Sequence, residues 1–266
     1  MTAVLTATDI AFEAGKRPIV DGVSLALEAG RTTIVIGPNG AGKSSLLRLL
    51  TGEQTPHRGT VTIEGVPLAA VPAWRLACLR AVLPQTIRLV LPFTVRETAN
   101  LGLDGIGRKL DRATRERIVA ESLDAADVTH LADRTVLTLS GGEQQRVHFA
   151  RVLCQLAAGQ SVASRQVLFL DEPIASLDLS HQLALLDALA GLADRGIAVL
   201  AIIHDLNLAA AYADDLVVID QGRLIARGSP EAVLTDELLA SVFRVHARVG
   251  EVPCDGRPFV LPRRRR

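Results

Sequence analysis

The chain has 266 residues, 29 basic side chains against 29 acidic ones, and is 48% hydrophobic with only 3% aromatic residues. That is enough chain for one substantial core or two small ones. The balanced charge excludes a general nucleic-acid coat, and 22% charged residues is too ordinary for a disordered, solvating chain.

No stretch approaches the roughly 20 apolar residues that cross a bilayer; the longest run, Ile197 to Ile203, is of strand length. Met1 to Asp9 lacks a basic segment and meets an acid before any long apolar run, so no signal peptide is expected and the cytosol is the expected compartment. Cys78, Cys154 and Cys254 are odd in number and far apart, which suits a reducing compartment and predicts neither a disulfide framework nor a zinc site. Lysine is scarce: only Lys16, Lys43 and Lys109 occur, all other cations being arginine.

Short alternating segments fill residues 1 to 70, among them Arg58 to Gly65, a hairpin strand between glycines, and predict an antiparallel annex. Within that region Thr33 to Ile36 reads instead as a buried strand ending at Gly37, followed by a helical pattern over Lys43 to Leu50. Trp74 lies in a polar stretch and is expected to pack. From Pro92 to Leu139 the chain is rich in Arg, Asp, Glu and Ala without a strong strand, which predicts a helical insertion. A helix over Glu143 to Leu156, a buried strand over Val167 to Leu170, a helix over Leu179 to Ala193 and a strand over Ile197 to Ile203 come next. After Gly228-Ser229-Pro230 a helix is expected over Glu231 to Phe243, then a polar tail ending in Arg263 to Arg266. Strand, helix, strand in this order predicts an α/β sheet with covered faces, whose ligands sit at the carboxyl ends of the strands.

The polar clusters fall at those ends. Gly37 to Ser44 fits G-x-x-x-x-G-K-S between a strand and a helix, so its backbone N–H groups and helix dipole face one anion while Lys43 adds a compact charge. A phosphate chain is the natural ligand, and arginine's planar fork suits that tight position poorly. Ser44 is expected to place its hydroxyl on Mg²⁺. Asp171 and Glu172 end the strand Val167 to Leu170; the pair fits either a plain helix start or a division of labour. In the latter, Asp171 holds Mg²⁺, directly or through water, and Glu172 orients or deprotonates the attacking water. His204, at the next strand end, is placed to donate to a γ-phosphate oxygen. Ser140 and Glu143 form a capping box around Gly141 and Gly142. Glycines are costly in a first helical turn and fit a backbone that must meet a ligand closely, so two facing copies could grip one γ-phosphate.

Together these residues resemble the ATP-binding subunit of an ABC transporter. Gly37 to Ser44 is similar to the Walker A loop, Gln85 in Leu83-Pro84-Gln85 to the Q-loop, and Leu139 to Gln144 to the LSGGQ-type signature. Val167 to Glu172 resembles the Walker B strand with its catalytic glutamate, Ser176 to Asp178 the D-loop, and His204 the switch histidine. The resemblance implies an α/β P-loop NTPase core of the ABC ATPase type with an N-terminal antiparallel β annex and an inserted helical subdomain. Residues 1–91 and 164–228 would form the core with its annex, 92–163 the helical subdomain with the signature, and 229–266 a C-terminal helix and basic tail. It also implies ATP held by Gly37, Pro38, Asn39, Gly40, Ala41, Gly42, Lys43, Ser44 and Ser45, Mg²⁺ held by Ser44, Gln85 and Asp171, and catalysis by Glu172, His204 and Gln85. Ser140, Gly141, Gly142 and Glu143 would reach the ATP of an opposite copy, beside the D-loop Asp178.

The implied partners are a second copy of the chain, two transmembrane permease subunits and, indirectly, a periplasmic substrate-binding protein, with no nucleic acid. The implied place is peripheral, on the cytoplasmic face of the inner membrane. Residues His204 to Ala210, Leu177 to Gln182 and Pro92 to Glu97 resemble importers of iron chelates, haem and cobalamin. Ala150 to Leu156, with the polar insertion through Gln166, is most similar to haemin importers. The resemblance thus implies an ATPase powering import of haemin, the alternatives being a ferric siderophore or cobalamin. A soluble ABC-type switch on nucleic acid or ribosomes is the second alternative; a single cassette without coiled-coil or zinc insertions speaks against it. Three positions depart from the family pattern, one of them Glu143, which precedes Gln144 in the signature as in other importers. The aromatic that stacks on adenine in most relatives aligns with Ala14, leaving either Phe12 as a substitute or adenine weakly held, and Ile174 stands where threonine is usual.

Overall fold

The computed structural model describes residues 3–15, 17–86, 91–107, 110–251 and 260–261. The amino-terminal annex begins with β1 (Ala3–Ala14) and β2 (Arg17–Glu28). β3 (Thr32–Ile36) then enters a second sheet and delivers the chain to α1 (Lys43–Thr51), before β4 (Arg58–Ile63) and β5 (Val66–Pro67) return to the annex. That sheet is four-stranded and antiparallel, in the order β2-β1-β4-β5. After α2 (Ala73–Leu79) and β6 (Arg80–Leu83) come the helices α3 (Val95–Asn100), α4 (Arg112–Ala125) and α5 (Gly141–Gly159). It returns through β7 (Val167–Asp171), α6 (Leu179–Asp194), β8 (Ala198–Ile202), α7 (Leu206–Tyr212), β9 (Asp215–Asp220) and β10 (Arg223–Gly228). The second sheet runs β10-β9-β3-β8-β7-β6, parallel except for the edge strand β10.

Alternation along the central strands explains how this sheet is covered on both faces. Ile34, Ile36, Leu168 and Leu170 point to one side, into a core shared with α5, α6 and the helical insertion. Val35, Val167 and Phe169 point to the other, where Leu46, Leu49 and Leu50 of α1 meet Ile10, Val23 and Ile63 of the annex. α1 therefore lies between the two sheets, with its first residue held against the carboxyl end of β3.

The insertion forms where helix starts are chemically marked. Thr94 and Glu97 make a capping box at α3, and Asp111 caps α4 by accepting from the Thr114 N–H at 2.8 Å. α5 begins at Gly141, so both glycines of the Ser140 segment are helical.

Two expectations need correction. The helix expected over Glu231 to Phe243 is broken into α8 (Pro230–Val233), α9 (Asp236–Leu238) and a wide turn over Leu239–Phe243. Leu234 is extended, and Thr235 starts a new turn by accepting from the Leu238 N–H at 3.2 Å; a local side-chain cap competes with helix continuation there. Trp74 does not pack: it is 60% exposed, because α2 buries only Cys78 and Leu79, at its carboxyl end, and leaves its first turn in solvent. Cys78 and Cys154 are free and buried, as packing residues. Lys16, Lys109, Cys254 and Arg263 to Arg266 lie outside the described residues.

His148 on α5 is 3% exposed, and its Nδ1 has no hydrogen-bond partner among the described residues. Burial, with the nearby Arg151 charge adding to it, pushes its pKa down from 6.5 to about 4. Between those values the unfolded chain binds the extra proton, so stability falls as pH drops through that window and is fully restored above it. On the order of 3 kcal/mol is expected to be lost. Urea unfolding at several pH values should show this slope and should show it flattened in His148→Leu; an equal slope in both proteins would contradict the assignment.

Candidate active site

The loop between β3 and α1 is shaped by glycines that nothing else can replace. Gly37 and Gly42 have φ of 151° and 100°, and a Cβ there would lie 2.0 Å from the Ile219 carbonyl and 2.4 Å from the Ile19 carbonyl. The loop is thus pressed against β9 and β2 with its N–H groups gathered at the start of α1. Lys43 is 6% exposed, and its Nζ donates to the carbonyls of Gly37 at 2.8 Å and Pro38 at 2.9 Å. Burial lowers its pKa, opposed by the charges of Glu172 and Asp171. Asn39, Gly40, Ala41, Ser44 and Ser45 complete the turn and the first residues of α1.

Parallel pairing of β3 with β8 and of β8 with β7 brings the carboxyl ends of these strands together. Ser44 Oγ donates to Asp171 Oδ1 at 3.2 Å. Burial raises the Asp171 pKa, with the Ser44 hydrogen bond pulling the other way. Two hard oxygen donors at this spacing fit Mg²⁺, which takes few protein ligands and keeps waters and phosphate oxygens. Glu172 follows β7 in a left-handed conformation, φ 51°. Its Oε1 lies 2.6 Å from His204 Nε2, and its Oε2 accepts from Gln85 Nε2 at 2.8 Å. The structure therefore joins Gln85 to Glu172, with which the resemblance grouped it for catalysis, while among the described residues no hydrogen bond joins it to Ser44 or Asp171, with which the resemblance also grouped it around the metal.

The signature segment sits apart from this cluster. Ser140 caps α5: its N–H and Oγ both donate to Glu143 Oε2, at 2.7 and 2.8 Å, and its Oγ accepts from the Glu143 N–H at 3.3 Å. The Ser140 hydrogen bonds hold the Glu143 carboxyl below its usual range. A Cβ on Gly141 would meet nothing within 4 Å, so this turn faces open space, whereas Gly142 lies against the Ser176 carbonyl. Asp178 caps α6, accepting from the His181 N–H at 3.0 Å, Ser180 Oγ and the His181 ring; these bonds hold its pKa down at about 2. Sequence reasoning missed this capping role, although Asp178 three residues before His181 is an N-cap spacing. His181 also reaches Asp127 Oδ2 at 3.7 Å, the carboxylate that Arg146 of α5 binds at 2.7 Å, which ties the start of α6 to the helical insertion.

A phosphate-receiving glycine loop, a buried lysine, a serine–aspartate pair and a carboxylate held by histidine define a P-loop ATPase. The family model described as ABC transporter matches residues 20–175. The hemin import ATP-binding protein HmuV of Rhizobium meliloti (strain 1021) is 42% identical over 259 residues, covering 97% of this chain and 98% of that protein. HmuV of Bradyrhizobium diazoefficiens is 44% identical over 264 residues, covering 98% and 96%. Among solved structures, a nucleotide-free ATP-binding cassette from an ABC transporter is 26% identical with a TM-score of 0.76, covering 91% of this chain and 99% of that one. The chain belongs to the ABC transporter family. It is an ATP-binding ATPase coupled to transport, and it works with a separate permease. Among the described residues no helix is long and apolar enough to cross a membrane.

Proposed function

We propose that the chain is the ATP-hydrolysing subunit that powers haemin import through its permease, working as a homodimer at the cytoplasmic face of the inner membrane. The observation that carries this reading is the identity of 42% and 44% to hemin import ATP-binding proteins over nearly the whole of both chains. In this reading residues 1–91 and 164–228 bind nucleotide, 92–163 carry the signature, and 229–266 form the C-terminal extension. A periplasmic haemin-binding protein delivers cargo to the permease and does not touch this chain.

The backbone N–H groups of residues 37–45 and Lys43 hold the phosphates. Ser44 and Asp171 would hold Mg²⁺ with Gln85 at its edge; when bound, the ion neutralises charge on the β- and γ-phosphates. Glu172 accepts the proton of the attacking water; His204 orients that carboxylate before nucleotide binds, and its Nε2–H must leave Glu172 to donate to the γ-phosphate. Ser140, Gly141 and Gly142 present the open first turn of α5 to the nucleotide of the second copy, next to Asp178. For Ser140 to bind phosphate, its hydroxyl must turn away from Glu143.

Uptake of radiolabelled haemin, cobalamin and a ferric siderophore is measured in cells with the gene deleted and then restored. The expected result is loss and recovery of haemin uptake alone. Loss confined to cobalamin or siderophore would overturn the haemin assignment and leave the ATPase in place; normal uptake of all three, with recovery of the protein on ribosomes, would favour the soluble switch.

A further inference from the structure

The reaction leaves one part of ATP without a seat. Ala14, at the position of the stacking aromatic, is exposed and offers only a methyl group. Phe12, its nearest substitute, is occupied: its ring stacks on His57, with centroids 5.1 Å apart and planes at 30°. It is also half-buried against the annex core.

The sheet order shows where the nucleoside must go. Asp171, Glu172 and His204 stand at the ends of β7 and β8, on one flank of β3. They fix the γ-phosphate end. The rest of the molecule therefore leaves toward the other flank, where β9, β10 and the start of β2 lie.

On that flank a cavity of about 690 Å³ borders the phosphate loop at Pro38 to Ala41, within the size range of small-molecule sites. Its other walls include Arg17 and Ile19 of β2, Asp220 at the β9–β10 turn, and Phe243 and Arg244 from the C-terminal extension. Neither the Arg17 nor the Arg244 guanidinium has an ion-pair or hydrogen-bond partner among the described residues, and both are exposed. Arg244 adopts a left-handed conformation, φ 59°, and the Val245 N–H donates back to the Leu239 carbonyl at 3.0 Å. The turn thereby brings Arg244 to the mouth of the cavity.

We propose that this cavity seats the adenosine of ATP, with Arg244 and Arg17 stacking on the base, Ile19 and Phe243 supplying its apolar floor, and Asp220 accepting from the ribose hydroxyls. A guanidinium plane covers a π-face as an aromatic ring does and adds cation–π attraction. The C-terminal extension thus supplies what the hairpin lacks. This inference rests on the ATPase reading above, since it needs the phosphates on residues 37–45.

The test compares binding of ATP and of inorganic tripolyphosphate to the full chain by calorimetry, for the wild type, Arg244→Gln, Arg17→Gln and Phe243→Leu. The leucine keeps Phe243's contribution to the core, and a thermal melt checks each fold. ATP affinity should fall about 10-fold in Arg244→Gln, the worth of one stacked base, with tripolyphosphate affinity unchanged. Unaltered ATP affinity in all three variants would overturn the proposal, as would equal loss of both ligands, which would make the arginines phosphate contacts. A wild type that bound neither ligand would instead overturn the ATPase reading, and the proposal with it.

Discussion

Glu172→Gln should lower steady-state ATP hydrolysis at least about 100-fold, the usual range for removing a general base, while leaving ATP affinity within a few-fold of wild type. Both carboxylate oxygens are committed, one to His204 at 2.6 Å and one to Gln85 at 2.8 Å. Glutamine keeps the shape but presents one acceptor where two donors converge, and it cannot take a proton from water. The substitution also removes one of the two carboxylate charges that hold Lys43 protonated against its burial. Asp171 remains to do so, which is why binding should survive when hydrolysis does not. Phosphate release under saturating ATP measures the first effect and nucleotide titration the second. Turnover above a tenth of wild type would remove Glu172 from the base role.

The parts of this site that sequence made legible are those whose chemistry is local. A glycine loop between an apolar strand and a helix permits few other geometries, and Ser140 with Glu143 makes the very capping box that its spacing predicts. The pairing of Ser44 with Asp171 was also foreseeable, because Asp171 ends one parallel strand and Ser44 opens the helix that follows the carboxyl end of another. What was not legible depends on residues far apart in the chain. Nothing near Gln85 indicates that its amide turns to Glu172, since that contact is set by the pairing of β6 with β7. The C-terminal segment read as one helix because its apolar spacing outweighed a single threonine; in the folded chain Thr235 restarts the turn and Arg244 reverses it beside the phosphate loop. Trp74 misled for the opposite reason. A large aromatic is usually buried, but its helix presents it to open solvent.

Lys43→Ala should weaken ATP binding by about 100-fold or more, the worth of two charge-assisted hydrogen bonds, without a comparable loss of stability in the nucleotide-free chain. The two effects separate because of what the ammonium does before nucleotide arrives. It is buried and bonded to the carbonyls of Gly37 and Pro38, so its charge is partly offset by groups of its own loop, and burial works against it. Removing it relieves that desolvation penalty and costs two carbonyl bonds, terms of opposite sign. In the proposed mechanism ATP exchanges those carbonyls for phosphate oxygens, an exchange only the wild type would make. The melting temperature of the wild type should therefore rise with ATP concentration, as expected for a ligand bound only by the folded state, and that of Lys43→Ala should stay flat over the same range. A variant whose melting point climbed with ATP as steeply as the wild type's would show that the phosphate loop binds without its lysine. The backbone N–H groups pinned by Gly37 and Gly42 would then carry the anion alone.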